Sequence, residues 1–255
     1  MTSHASQQGQ IYLHRGNLAQ ARYWYTQAVA EARSGGTWDS LASALGNLGN
    51  VYALMEDFHQ AETCYQEILR IQRSQSNPNT IGETLGNLGN LKADAGDASK
   101  ARAYYLEAID VLTPTENHRA LGILYGNLAL LEVATHQLQD AIDHFTYALD
   151  LHRSVGDESG LANTYSQLGH AFLTQGEIRQ AERCLNNASE HFIKLGNEPS
   201  EAAVLRVLSE LYHQRGDFLS AIRCLERTLQ IDIRYQLPEQ NKDVSKLAQL
   251  REASS

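Results

Sequence analysis

The chain has 255 residues, three cysteines, ten histidines and a formal net charge of −9. An acidic balance of this kind argues against sequence-independent binding to nucleic acid or to an anionic membrane surface, both of which need a basic face. No apolar run reaches the roughly 18 residues of a membrane span and no basic-then-apolar leader opens the sequence, so a soluble, cytoplasmic protein without nucleic-acid or membrane partners is expected.

Residues 2 to 15 read as a helix that Gly16-Asn17 breaks, and Leu18 to Arg33 carries Ala21, Tyr25, Ala28 and Val29 at helical spacing. Together they predict a helix–turn–helix pair. The first helix has Ala5 and Gln8 where later units carry Leu45 and Leu48. It is either a polar cap or the opening of a segment of a longer protein.

The next stretch, Leu45-Gly46-Asn47-Leu48-Gly49-Asn50, returns 40 residues later as Leu85-Gly86-Asn87-Leu88-Gly89-Asn90 and then decays to Tyr125-Gly126-Asn127-Leu128-Ala129. Ala21, Ala61, Ala101, Ala141, Ala181 and Ala221 keep the same period. Six units are expected, at about 1–40, 41–80, 81–120, 121–160, 161–200 and 201–240. A unit this short must bury its apolar face on its neighbours. Turn formers fall between units, as in Ser34 to Asp39, Ser74 to Asn79, Thr113 to Asn117 and Leu195 to Pro199, and Thr80-Ile81-Gly82-Glu83 has the spacing of a capping box. After Leu237-Pro238, residues 241–255 are expected to give a polar capping helix and tail, with Val244, Leu247 and Leu250 on its inner side.

Small residues at Gly49 and Gly89 on first helices, opposite Ala61 and Ala101 on second helices, would let the two cross closely. Lys92 and Glu132 stand where other units place Tyr52, Phe172 and Tyr212. They are read either as solvated neighbours or as an ion pair replacing aromatic packing. Cys64, Cys184 and Cys224 recur at one place on second helices, too far apart for a disulfide if units stack at the usual helix spacing, so free thiols are expected.

These residues carry a resemblance. Leu45, Leu48, Gly49, Tyr52, Ala61, Tyr65 and Ile68 match the signature of a tetratricopeptide repeat (TPR) lengthened by a few residues, as do Leu85, Leu88, Gly89, Ala101, Tyr105 and Ala108, and Tyr165, Leu168, Gly169, Phe172, Ala181, Leu185 and Ala188. The long unit is similar to those of spindle-orientation adaptors, kinesin light chain and bacterial regulators. The resemblance implies an all-α fold, a right-handed α-solenoid of six helix–turn–helix repeats with a C-terminal capping helix. It also implies that first helices line a concave groove, into which positions equivalent to Gly46, Asn47, Asn50 and Ala53 point.

Along that groove run Asn47, Asn50, Asn87, Asn90, Asn127, Leu130, Val133, Gln167 and His170. Carboxamides donate and accept, so a row of them can pair with the backbone of an extended peptide. Gly46, Gly86 and Gly126 precede the amides, either as a cleared floor for a ligand or as room for a neighbouring helix. Ile123, Leu130, Val133 and Ala134 form an apolar patch, a hot-spot candidate or a surface for self-association. Chaperone-binding members of this family use Lys and Arg in the groove, whereas here Arg206 is the one basic residue there.

No metalloprotease motif, phosphate loop or nucleophile elbow is present, and His170, His213 and Glu210 are the one set whose spacing would let them gather around a metal. No enzymatic activity, cofactor or metal is expected. The first reading is a protein-interaction scaffold holding an extended peptide segment of a partner in the groove. The second is a regulatory or sensor fragment of a larger signalling protein or peptide-responsive transcription regulator.

Overall fold

A computed structural model of the chain describes residues 3–253. Among the described residues there are thirteen α-helices, one 3-10 turn at Thr113–Thr115 and no strand. The chain divides into two compact units, Met1–Ala120 and Leu121–Ser255.

The first unit contains α1 (His4–His14), α2 (Leu18–Gly35), α3 (Trp38–Leu54), α4 (Phe58–Gln75), α5 (Pro78–Asp94) and α6 (Ala98–Leu112). α1 packs on α2, α3 on α4 and α5 on α6, and each hairpin stacks on the next through α2 with α3 and α4 with α5. Its core is a run of leucines and tyrosines with little or no exposure, among them Tyr25, Leu45, Tyr65, Leu85, Leu88 and Tyr105. Exposed pairs Arg33–Glu67 (2.7 Å) and Arg73–Glu107 (2.6 Å) tie successive second helices at a constant spacing, each worth at most about 1 kcal/mol at such a surface.

The second unit holds α7 (His118–Ala134), which opens at the boundary, then α8 (Leu138–Ser154), α9 (Glu158–Gln175), α10 (Ile178–Leu195), α11 (Glu198–Gln214), α12 (Phe218–Tyr235) and α13 (Gln240–Ala253). Phe145, fully buried, centres one apolar cluster with Ala129, Leu149, Leu161 and Leu168. Leu185, Phe192 and Leu208 centre a second, and α13 closes a third with Leu225, Leu247 and Leu250.

Local chemistry explains the hairpins. Every hairpin turn places one residue in the left-handed region, at Gly16, Glu56, Gly96, His136, Gly176 and Gly216. Four of these are glycine, which alone adopts that conformation without steric penalty. The following helix is then usually capped by an Asn or Asp side chain that accepts from the backbone N–H three residues on, as Asn17, Asp57, Asp97 and Asp217 do.

Three expectations about elements are corrected. α5 starts at Pro78, not after a capping box at Thr80: Asn77 Oδ1 accepts from the N–H groups of Asn79 and Thr80. Pro78 sits at the first helical position, where its missing N–H is harmless. On α13 it is Asp243 that is buried with Leu247 and Leu250, while Val244 is half exposed, because Arg206 draws the carboxylate inward (2.6 Å). Lys92 binds Glu62 (2.6 Å) on α4, and fully buried Glu132 meets His144 Nδ1 (2.7 Å) on α8. Neither residue of that position is simply solvated, since Lys92 retains only 13% side-chain exposure and Glu132 none.

Candidate functional site

The first helices α3 and α5 bury several faces and leave one stripe open toward their C-terminal halves. On α3 and α5 that stripe holds Asn50, Leu54, Asn87, Asn90 and Asp94, all exposed, with Asn47 half-buried beside them. Here the first unit forms a cleft of ≈ 320 Å³ whose lining includes Asn50, Ala53, Leu54, Asn87, Asn90 and Asp94. The predicted amide row of this unit is thus gathered along one open surface.

Two of its members have a second role that sequence reasoning missed. The Tyr65 hydroxyl donates to Asn50 Oδ1 (2.6 Å) and the Tyr105 hydroxyl to Asn90 Oδ1 (2.7 Å). Each ring reaches the amide by lying against the preceding glycine: a Cβ at Gly49 would stand 3.0 Å from the Tyr65 ring, and at Gly89 only 2.4 Å from that of Tyr105. The glycines therefore accommodate a tyrosine ring more than the opposing alanine. Burial pushes both hydroxyls up to about 12, with Asp94 adding to the effect at each, so they stay protonated donors at any physiological pH.

The signal was in the sequence. Where the second helix carries Tyr25, Tyr65 or Tyr105, the first helix carries an amide fifteen residues earlier, Gln10, Asn50 or Asn90; where it carries Phe145, Leu185 or Leu225, that residue is Leu130, His170 or Glu210. The hydroxyl and its amide are gained and lost together, as a buried donor requires. Asn50 and Asn90 are consequently held in place by the hairpin itself, while Asn47 and Asn87 are not held by this bond.

In the second unit, the corresponding stripe presents Ile123 (51% exposed) and Leu130 (42%), with Asn127 and Gln167 half-buried and His170 exposed. Val133 is partly buried, like its repeat equivalent Ala53, and packs against the Phe145 cluster. Gly46 and Gly126 differ from Gly49 and Gly89: a Cβ there would meet only Ile68 Cδ1 at 3.8 Å or Gln167 Oε1 at 4.0 Å. Helix packing does not demand glycine at either.

Farther along the second unit the stripe is closed over. Arg206 binds Asp232 and Asp243, and Glu210 binds Lys246 of α13, so the one basic groove position is consumed by the capping helix. Glu210 is likewise engaged by lysine, and among the described residues no three His, Cys, Asp or Glu side chains converge as a metal site.

The three cysteines are free; Cys64 and Cys184 are buried and Cys224 half-buried. Burial pushes all three thiols up to about 11. At pH 8 only about one in a thousand would be ionised, and the thiolate is the reactive form. Labelling by Ellman's reagent is expected to be roughly a hundredfold slower in the native protein than in urea; a thiol that reacts equally fast in both would contradict this burial.

Comparison with known proteins places the fold. A sequence-family profile described as the MalT-like TPR region matches residues 2–155, and one described as tetratricopeptide repeat matches residues 160–234. None of the curated proteins matches in a sequence search. Among solved structures, BtubC (BKLC) from P. vanneervenii is similar with a TM-score of 0.78 at 19% identity, over 86% of this chain and 92% of that one. A signal transduction ATPase with numerous domains (STAND), carrying a tetratricopeptide repeat sensor, from Pyrococcus horikoshii, gives 0.81 at 13% identity over 98% of this chain. This chain spans 38% of that protein's length. A Rap protein complexed with competence and sporulation factor gives 0.68 at 13%, over 97% and 74%. At such identities the structures speak to fold alone. With the MalT-like profile covering more than half of the sequence, the chain belongs to the tetratricopeptide repeat family.

Proposed function

We propose that this chain is a non-enzymatic interaction module that holds an extended peptide segment of a partner protein against the open first-helix stripes. The observation that carries the reading is the amide-lined cleft of the first unit, with Asn87 and Asn90 exposed along one stripe of α5. Side-chain amides in a row can match the alternating N–H and C=O of an extended backbone without regard to the partner's charge. Gly46, which packing does not require and which is partly exposed, leaves space for that backbone to come close. In the second unit Asn127, Gln167 and His170 flank exposed Leu130, which would seat an apolar side chain. Three free thiols suit a reducing, cytoplasmic setting.

A second reading has a specific observation in its favour. The STAND protein, of which this chain matches 38%, attaches this repeat type to a larger context, by name as a sensor. The same stripes would then sense a peptide on behalf of an effector elsewhere, and the Rap protein's complex with a competence and sporulation factor fits that use.

Short peptides selected from a random-sequence phage library on the immobilised chain provide the test. Asn87→Ala and Asn127→Ala are each expected to weaken a selected peptide by about 0.5–1.5 kcal/mol, and Leu130→Glu by more because it puts a charge where an apolar side chain would be desolvated. Thermal midpoints should move little. Ala103→Glu on the exposed side of α6 serves as the control. Peptides lost on Ala103→Glu yet untouched by the three stripe variants would place the binding surface on the second helices.

A further inference from the structure

The cleft of the first unit has a chemical preference beyond backbone pairing. Among the described residues lining it, Asp94 is the only charged side chain. It ends α5 and is exposed. The adjacent cation on that helix, Lys92, is engaged by Glu62 at 2.6 Å. The repeat pattern makes the charge local. Positions equivalent to Asp94 are His14, Leu54, Ala134, Thr174 and Gln214, so an acid at this point belongs to one hairpin and not to the family of hairpins. Facing it across the cleft, Leu54 (59% exposed) and Ala53 supply an apolar wall, while Asn50 and Asn90 are fixed from below by the Tyr65 and Tyr105 hydroxyls. Carboxylate, aliphatic wall and anchored amides together suit a long side chain with an apolar stem and a cationic head.

We propose that this cleft receives a lysine or arginine side chain of the bound segment, its stem on Leu54 and its head on the Asp94 carboxylate. The assignment rests on the reading that the stripe binds an extended peptide, and it names the residue type which that peptide carries opposite α5. An acidic peptide would meet Asp94 as a like charge and be rejected. The preference would be electrostatic at a partly open surface, so it weakens as salt rises.

The same library selection distinguishes the two claims. Binders should be enriched in Lys or Arg. Asp94→Asn, or replacement of the basic residue in the peptide by norleucine, should each weaken binding about tenfold, with no further loss when the two are combined. Asp94→Lys should reverse the preference, restoring affinity for the peptide whose basic residue is replaced by glutamate. Asp110→Asn, an exposed acid on α6, removes an equal charge and should change nothing. If Asn87→Ala weakens the binders but they show neither basic enrichment nor sensitivity to Asp94→Asn, this inference fails and the peptide-binding reading stands. If Asp110→Asn weakens them as much as Asp94→Asn, the preference is a general effect of the acidic chain and the inference fails again. If no selected peptide depends on Asn87, both fall together.

Discussion

Arg206→Met is expected to release α13 from the second unit, at a cost of about 3–5 kcal/mol. Its guanidinium bridges Asp232, fully buried on α12, and Asp243, nearly so on α13. Removing the cation leaves two buried carboxylates facing each other, and one oxygen of Asp232 already lacks a hydrogen-bond partner. Burial raises Asp232 above the ordinary carboxylate range, even against Arg206, and Asp243 adds to the rise. The folded state therefore holds that proton more tightly than the unfolded chain does, and mild acid does not loosen the cap through Asp232. Glu210 behaves oppositely. The Lys246 bond holds it below its ordinary 4.5, so its contribution is present above that value and is lost as pH falls through the lowered one. Hydrogen exchange reads the result locally: in Arg206→Met the α13 amides should exchange as in a free peptide while α9 and α10 stay protected. Adding Asp232→Asn and Asp243→Asn should restore part of the protection. Undiminished α13 protection in the single variant would mean that Leu247 and Leu250 alone hold the cap.

The second large effect lies at Phe145. Truncation to alanine empties the centre of the cluster that joins α7, α8 and α9 and should destabilise the second unit by about 3–5 kcal/mol in urea unfolding. Phe145→Tyr is more instructive. It creates a hydroxyl beside Leu130 instead of beside an amide, and a buried donor without an acceptor costs about 1–3 kcal/mol. Combining it with Leu130→Asn reproduces the Tyr65–Asn50 pairing and should recover much of that loss. A double variant no better than Phe145→Tyr alone would show that the tyrosine–amide pair does not transfer between hairpins.

Much of the fold was legible because a solenoid writes its packing into a period. The recurring alanines mark buried helix crossings, and Gly16, Gly96, Gly176 and Gly216 mark turns. Glu56 and His136 occupy the same left-handed position without glycine, and only the period points to them. Pro78 misled because proline between two helices reads equally as a loop or as a first helical residue. Asp243 was hidden because an acid on an amphipathic stretch reads as solvent-facing until its partner, Arg206 on another helix, is placed beside it. The amide row emerged as a row, yet its division into Asn50 and Asn90, held by tyrosine, and Asn47 and Asn87, not so held, depends on contacts fifteen residues apart. Val133 shows the limit of counting along a helix: Leu130 is exposed, whereas Val133, three residues on, sits at the edge of the stripe, partly buried against the Phe145 cluster.

On the proposed reading, partners bind along the first helices of the hairpins. A library-selected peptide bearing a photoactivatable diazirine, cross-linked to the chain and mapped by mass spectrometry, tests it most directly. Adducts are expected on α3 and α5, around Ala53, Asn87 and Asp94, and on the exposed stripe of α7 and α9, with none on the outer sides of α4, α6, α8 and α10. Adducts concentrated on those second helices, with the first helices unmodified, would place the partner on the outer surface instead.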